Sequence, residues 1–156
     1  MKNNMKEGFG INTFSNGDVY KGEFKQNKFN GWGIYRIKNG TIYKGEFKDD
    51  KLTGYGLYFS SGGDKYEGDW KNNQFNGIGI YIDSDGIIYE GEFEDDDENG
   101  IGKKKYPDGD IYEGEMENNN SSGYGILDDS KGIYEGEFLN DVYEGIGHFK
   151  NKKNEG

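Results

Sequence analysis

A tyrosine that opens a five-residue phrase returns along this chain at an almost constant distance. YKGEF at 20–24 and 43–47 is followed by YEGDW at 66–70, YEGEF at 89–93, YEGEM at 112–116 and YEGEF at 134–138. Successive tyrosines stand 23 residues apart four times and 22 residues apart once. A Gly-x-Gly pair keeps the same period, at Gly8/Gly10, Gly31/Gly33, Gly54/Gly56, Gly77/Gly79, Gly100/Gly102, Gly123/Gly125 and Gly145/Gly147. A fixed period of this size marks a repeat array, whose units are small supersecondary elements that bury apolar surface only against their neighbours.

Within a unit the pattern is that of a β-hairpin. In Tyr20–Lys25 the small and aromatic residues alternate with charged ones, so Tyr20, Gly22 and Phe24 share one face of a short strand and Lys21 and Glu23 take the other. The same triad recurs as Tyr43/Gly45/Phe47, Tyr66/Gly68/Trp70, Tyr89/Gly91/Phe93, Tyr112/Gly114/Met116 and Tyr134/Gly136/Phe138. The polar stretch Gln26–Asn30 reads as a five-residue connection. Beyond it Gly31, Gly33, Tyr35 and Ile37 fall on one side of a partner strand, and Trp32, Ile34 and Arg36 on the other. Asn16-Gly17, Asn39-Gly40, Gly62-Gly63, Asp85-Gly86, Asp108-Gly109 and Lys131-Gly132 supply the second turn of each unit. The glycines leave flat backbone on which aromatic rings can lie.

These residues resemble the MORN repeat (membrane occupation and recognition nexus). Its unit reads approximately Y-x-G-E-W/F, a polar turn, G-x-G and a glycine turn. The resemblance runs from about residue 8 to 149, with a half unit at 8–19 and units starting at 20, 43, 66, 89, 112 and 134, one array over residues 1–156. It implies an all-β, elongated, single-layer twisted antiparallel sheet of stacked β-hairpins. Met116 in place of an aromatic, Asp69 in place of Glu, and a unit one residue short after Gly125 predict irregularity near the last two units. Members of the family serve mostly as scaffolds and adaptors in cytoskeletal and ciliary assemblies and at membrane junctions. Others are modules attached to lipid kinases or a lysine methyltransferase.

Composition bounds the function. Only 31% of residues are hydrophobic, but 16% are aromatic and 28 are glycine, which fits a folded array rather than a disordered chain. There is no cysteine and no apolar stretch of signal-peptide or membrane-span length, so a cytoplasmic location is expected, with association to cytoskeleton or cilium implied by the family. The single histidine, His148, lacks a second histidine or a cysteine to build a site with. Glu23, Glu46, Asp69, Glu92, Glu115 and Glu137 recur once per unit and read as structural, accepting turn N–H groups, rather than as catalytic carboxylates. IDSDG at 82–86 would need a calcium ligand at Tyr81, and no Gly-x-Gly extends to a dinucleotide fingerprint. Asp95–Glu98 reads as a solvated turn. The expectation is therefore no enzyme activity, no cofactor and no metal.

Net charge of −11 disfavours nucleic acid as a partner. The charge is uneven: residues 1–80 hold 12 Lys+Arg against 9 Asp+Glu, and residues 81–156 hold 7 against 21. Acids surround the Lys103–Lys105 cluster, so binding to anionic membranes is not expected. A scaffold that binds protein partners is the leading reading. Trp32, Ile34, Tyr55, Leu57, Ile78 and Ile80 are the candidate partner-binding side chains, and self-association through open sheet edges is expected. A phosphoinositide-binding module and a regulatory subunit of a separately encoded enzyme are the alternatives.

Overall fold

The computed structural model describes residues 5–152. Among them, thirteen strands lie in one antiparallel sheet in chain order. They are β1 (Gly8–Thr13), β2 (Val19–Lys25), β3 (Lys28–Arg36), β4 (Ile42–Lys48), β5 (Lys51–Phe59), β6 (Lys65–Lys71), β7 (Gln74–Ile82), β8 (Ile88–Glu94), β9 (Asp97–Lys105), β10 (Ile111–Glu117), β11 (Asn120–Asp128), β12 (Gly132–Leu139) and β13 (Val142–Asn151). Their contacts divide them into two compact units, residues 1–77 and 78–156.

The two turns of a repeat differ in kind. In the Asn-Gly type, the Phe14 N–H donates to the Asp18 carbonyl at 2.8 Å and the Gly17 N–H to the Phe14 carbonyl at 3.0 Å. Gly17, at φ +97°, supplies the left-handed residue that closes such a loop. The same closure recurs from Ile37 to Thr41, Ser60 to Asp64, Asp83 to Ile87 and Tyr106 to Asp110.

The other turn corrects the expected five-residue connection. Lys25 pairs with Lys28, leaving only Gln26 (φ +50°) and Asn27 (φ +64°) between the strands. Positive φ at both central residues gives the twist that matches a hairpin, and Asn and Asp tolerate it best among residues with side chains. Asp49-Asp50, Asn72-Asn73, Asp95-Asp96, Asn118-Asn119 and Asn140-Asp141 repeat it. A second task explains the Asn or Asp at the latter position. The Asn27, Asp50, Asn73, Asn119 and Asp141 side chains accept the N–H of Lys6, Phe29, Leu52, Glu98 and Ser121 respectively, at 2.7–2.8 Å. Their own N–H groups donate to the carbonyls of those same residues. Each of these five turns thus clasps the neighbouring hairpin.

Gly31 is a further correction. Between the pairs Gly22–Gly33 and Phe24–Phe29, Glu23 alone on β2 stands opposite Asn30, Gly31 and Trp32 on β3. This bulge breaks the alternation and turns Gly31, at φ +96°, toward Glu23 instead of Tyr20. Gly54, Gly77, Gly100, Gly123 and Gly145 also have positive φ at the equivalent place. The Glu23 carboxylate accepts the Trp32 N–H at 2.8 Å, and Glu92 and Glu115 accept those of Ile101 and Tyr124. The recurrent acid is therefore the plug of the bulge.

The other glycines fall into register across the strands. In the first unit Gly10, Gly22, Gly33, Gly45, Gly56 and Gly68 pair in succession from β1 to β6. In the second unit Gly91, Gly102, Gly114, Gly125, Gly136 and Gly147 pair in succession from β8 to β13. Gly68 and Gly79 are buried on β6 and β7. The glycine of the pentad does not serve as a floor for a ring alone, as alternation had implied. A Cβ on Gly91, Gly114 or Gly136 would sit 2.5 Å from the Cα of the glycine paired with it, so these positions permit close backbone approach.

The second glycine of Gly-x-Gly does carry a ring. A Cβ on Gly33 would sit 2.5 Å from Tyr20 Cε2, and Tyr89, Tyr112 and Tyr134 lie in the same way on Gly102, Gly125 and Gly147. Gly56 is the exception: Trp70, not Tyr43, covers it, with Nε1 2.9 Å from where a Cβ would be. The larger indole reaches across to that glycine, and Tyr43 is correspondingly only half-buried.

Aromatic contacts close the tyrosine face. Tyr20, Tyr66, Tyr89 and Tyr112 are at most 1% exposed. Tyr20 stacks on Phe29 at 3.8 Å between centroids and meets Phe24 edge-on at 5.1 Å; Tyr66 repeats this with Phe75 at 3.9 Å and Trp70 at 5.5 Å. In the second unit Phe93 is buried edge-on against Tyr89 at 5.0 Å, and Phe138 is buried between Tyr112 at 5.1 Å and Tyr134 at 5.2 Å. The Tyr20 hydroxyl donates to the Glu23 carbonyl at 2.8 Å, and Tyr66, Tyr89, Tyr112 and Tyr134 make the same bond three residues onward. Burial pushes the pKa of the Tyr20 hydroxyl up to about 12, so it remains a neutral donor.

The expected irregularity near the last units is local. Met116 is buried and occupies the aromatic position. The missing residue is taken out of the turn, where the Asp129 N–H donates to the Gly132 carbonyl, while Gly125 still faces Gly136.

Candidate protein-interaction faces

Strand alternation gives each unit a tyrosine face and an opposite, open face. On the tyrosine face of the first unit, Phe14, Phe29, Tyr35, Tyr43, Phe47 and Leu52 line a groove of about 620 Å³, which Lys6, Asn27, Asp50 and Asn73 also border. Phe29 and Leu52 are not candidates in the sequence because both lie in stretches that read as loop. The two-residue turn brings them into β3 and β5.

The second unit fills equivalent positions differently. Glu98 and Lys104, which replace Phe29 and Tyr35 of the first unit, form an ion pair at 2.7 Å, with 12% and 13% of their side chains exposed. Burial holds the Glu98 carboxyl above the usual carboxylate range, and Lys104 opposes that shift. Asp95–Glu98, expected as a solvated turn, accordingly divides into an exposed turn at Asp95-Asp96 and a strand residue at Glu98 that is largely covered.

The open face carries the six candidate partner-binding residues. In the first unit Trp32 is 50%, Ile34 37% and Tyr55 44% exposed, and Leu57 is half-buried. Ile78 and Ile80, on β7 within the second unit, are 59% and 38% exposed. In the first unit each apolar side chain lies among charges. Trp32 faces Glu46; Ile34 faces Lys21 on β2 and Lys44 on β4; Tyr55 faces Asp69; Leu57 faces Lys44 and Glu67. The Tyr55 hydroxyl donates to Glu67, which raises its pKa. In the second unit the pattern continues with Ile101 and Tyr124 at the Trp32 position and Ile126 at the Ile34 position.

His148 is exposed on β13, opposite Glu135. Among the described residues no group of three or more His, Cys, Asp or Glu is placed to hold a metal ion.

An array of hairpins that packs its pentad tyrosines against neighbouring aromatic rings and leaves apolar side chains exposed on the opposite face has the construction of a repeat-based binding module. Seven MORN repeats match residues 1–19, 20–42, 43–65, 66–88, 89–111, 112–133 and 134–153, and the chain belongs to the MORN-repeat family. No curated protein matches the sequence. Among solved structures, the SAS-4 (dCPAP) TCP domain of Drosophila melanogaster, in complex with a proline-rich motif of Ana2 (dSTIL), is 12% identical with a TM-score of 0.45, over 81% of this chain and 63% of that one. A streptogramin B lyase is 15% identical with a TM-score of 0.21, over 99% of this chain and 58% of that one. The virginiamycin B lyase of Staphylococcus aureus is 16% identical with a TM-score of 0.19, over 99% and 59%. This chain spans about three fifths of the length of each of these structures.

Proposed function

We propose that this protein is a non-enzymatic scaffold or adaptor whose open face binds protein partners within a larger cytoplasmic assembly, of cytoskeletal or axonemal kind. One observation carries the reading. On the tyrosine face of the first unit the aromatic side chains are buried or half-buried against one another, whereas the open face leaves Trp32, Ile34 and Tyr55 at 37–50% exposure. Exposed apolar rows rimmed by charge mark interaction sites, and Trp and Tyr are the residue types most often dominant in them.

The test is affinity capture from the native cell with the wild-type chain and with Trp32→Ala/Tyr55→Ala. Both side chains lie outside the stacked core, so the double variant melts like the wild type. Loss of captured partners from the double variant is the expected result. An unchanged set of partners would overturn the assignment of this face.

A further inference from the structure

One repeat position on the open face changes sign between the units. In the first unit Ile34 lies between Lys21 and Lys44. In the second, Ile126 lies between Glu113 and Glu135 at the same two cross-strand positions. The two isoleucines are equally exposed, at 37%. The neighbouring ring is also retained, since Trp32 stands beside Ile34 on β3 and Tyr124 beside Ile126 on β11, both about half exposed. The open face thus presents one shape twice, once framed by ammonium groups and once by carboxylates.

From this we infer that the open face of the first unit docks on the open face of the second unit of another copy of the chain. The inference rests on the reading of the open face as the binding face and names one of its partners. Sheets pack face to face about 10 Å apart with their side-chain rows interdigitated. In such a contact Ile34 and Trp32 bury against Ile126 and Tyr124, while Lys21 and Lys44 meet Glu113 and Glu135. Glu23 and Glu46 stand beside Trp32 as Glu115 and Glu137 stand beside Tyr124, so the difference in sign between the two surfaces lies at Lys21 and Lys44 against Glu113 and Glu135. Along the row of Ile34, the next acid beyond Lys44 is Glu67, opposite Leu57. In the second unit Lys103 stands between Glu90 and Glu113 and is the single cation on that stretch of the row. Every copy holds both surfaces, and like surfaces repel.

Sedimentation velocity of the full chain tests this. At about 0.05 M salt the weight-average mass rises with concentration above the monomer's 17.7 kDa, and at about 0.5 M salt it returns toward that value. Lys21→Glu/Lys44→Glu and Glu113→Lys/Glu135→Lys each weaken self-association about tenfold or more. An equimolar mixture of the two variants associates again, because the acidic first unit of one variant meets the basic second unit of the other, and the unaltered surfaces of the two also keep opposite signs. That rescue also shows that both variants fold. A wild-type chain that stays at 17.7 kDa at every concentration, or a mixture no more associated than its components, overturns the inference. Failure here with capture still dependent on Trp32 and Tyr55 would remove only the second copy as partner. Failure of both would remove the open face.

Discussion

Gly33→Ala places one methyl group where Tyr20 lies. The new Cβ would sit 2.5 Å from Tyr20 Cε2 and 2.6 Å from Cζ, closer than carbon and ring atoms approach one another. The backbone of Gly33 pairs on both sides, with Gly22 and Gly45, so the ring must yield. A displaced Tyr20 forfeits burial worth about 1.5–3 kcal/mol. It also loses its stack on Phe29, about 0.5–1.5 kcal/mol, and its hydrogen bond to the Glu23 carbonyl, about 1 kcal/mol. Allowing for partial relaxation, the expected loss is about 3–5 kcal/mol, read as a lowered midpoint in urea with the slope unchanged. Gly40→Ala is the control: Gly40 has φ +101°, but nothing lies within 4 Å of where its Cβ would be, so only backbone strain of about 1 kcal/mol applies. Equal losses at Gly33 and Gly40 would show that ring-on-glycine packing does not hold the hairpins together.

Other consequences are equally accessible to denaturant melts. Glu98→Phe/Lys104→Tyr restores the aromatic pair of the first unit and should stabilise the chain by about 1–4 kcal/mol, whereas Glu98→Phe alone strands Lys104 and should destabilise it. Because burial raises the folded-state pKa of Glu98 above its ordinary 4.5, the folded state holds that proton more tightly than the unfolded state. Its contribution therefore favours folding at acid pH and is lost as pH rises through its folded value; Glu98→Gln should remove that part of the pH dependence. Asp50→Gly keeps the left-handed turn but removes the acceptor for the Phe29 N–H, and should cost about 1 kcal/mol; no loss would mean that the clasp between hairpins is dispensable.

Much of this architecture is legible in the chain because a repeat states each constraint several times. The tyrosine period marks the strands, and alternation places Trp32 and Ile34 opposite Tyr20. The recurrent acid is recognisable as an acceptor of backbone N–H groups. Two features are hidden by local exceptions. Lys-Gln-Asn-Lys at 25–28 carries no glycine, so its two-residue turn does not stand out, and Phe29 reads as part of a loop. The bulge at Gly31 reverses the side on which that residue lies, which an alternation count cannot anticipate. The Asn or Asp at the second turn position is visible throughout, but its clasp on the hairpin before it depends on register between repeats. The same register decides that Gly91 and Gly114 meet backbone, and that Gly56 meets Trp70 rather than Tyr43.

The sharpest test asks which face touches partners. A photo-crosslinking side chain at position 55 lies on the open face, and one at position 58, three residues along β5, lies on the tyrosine face, where Tyr58 meets Tyr43 and Phe75. Illumination in the native cell should give adducts to other protein chains from position 55 and none from position 58. Adducts from position 58 alone would contradict the account and move the binding site to the aromatic side of the sheet.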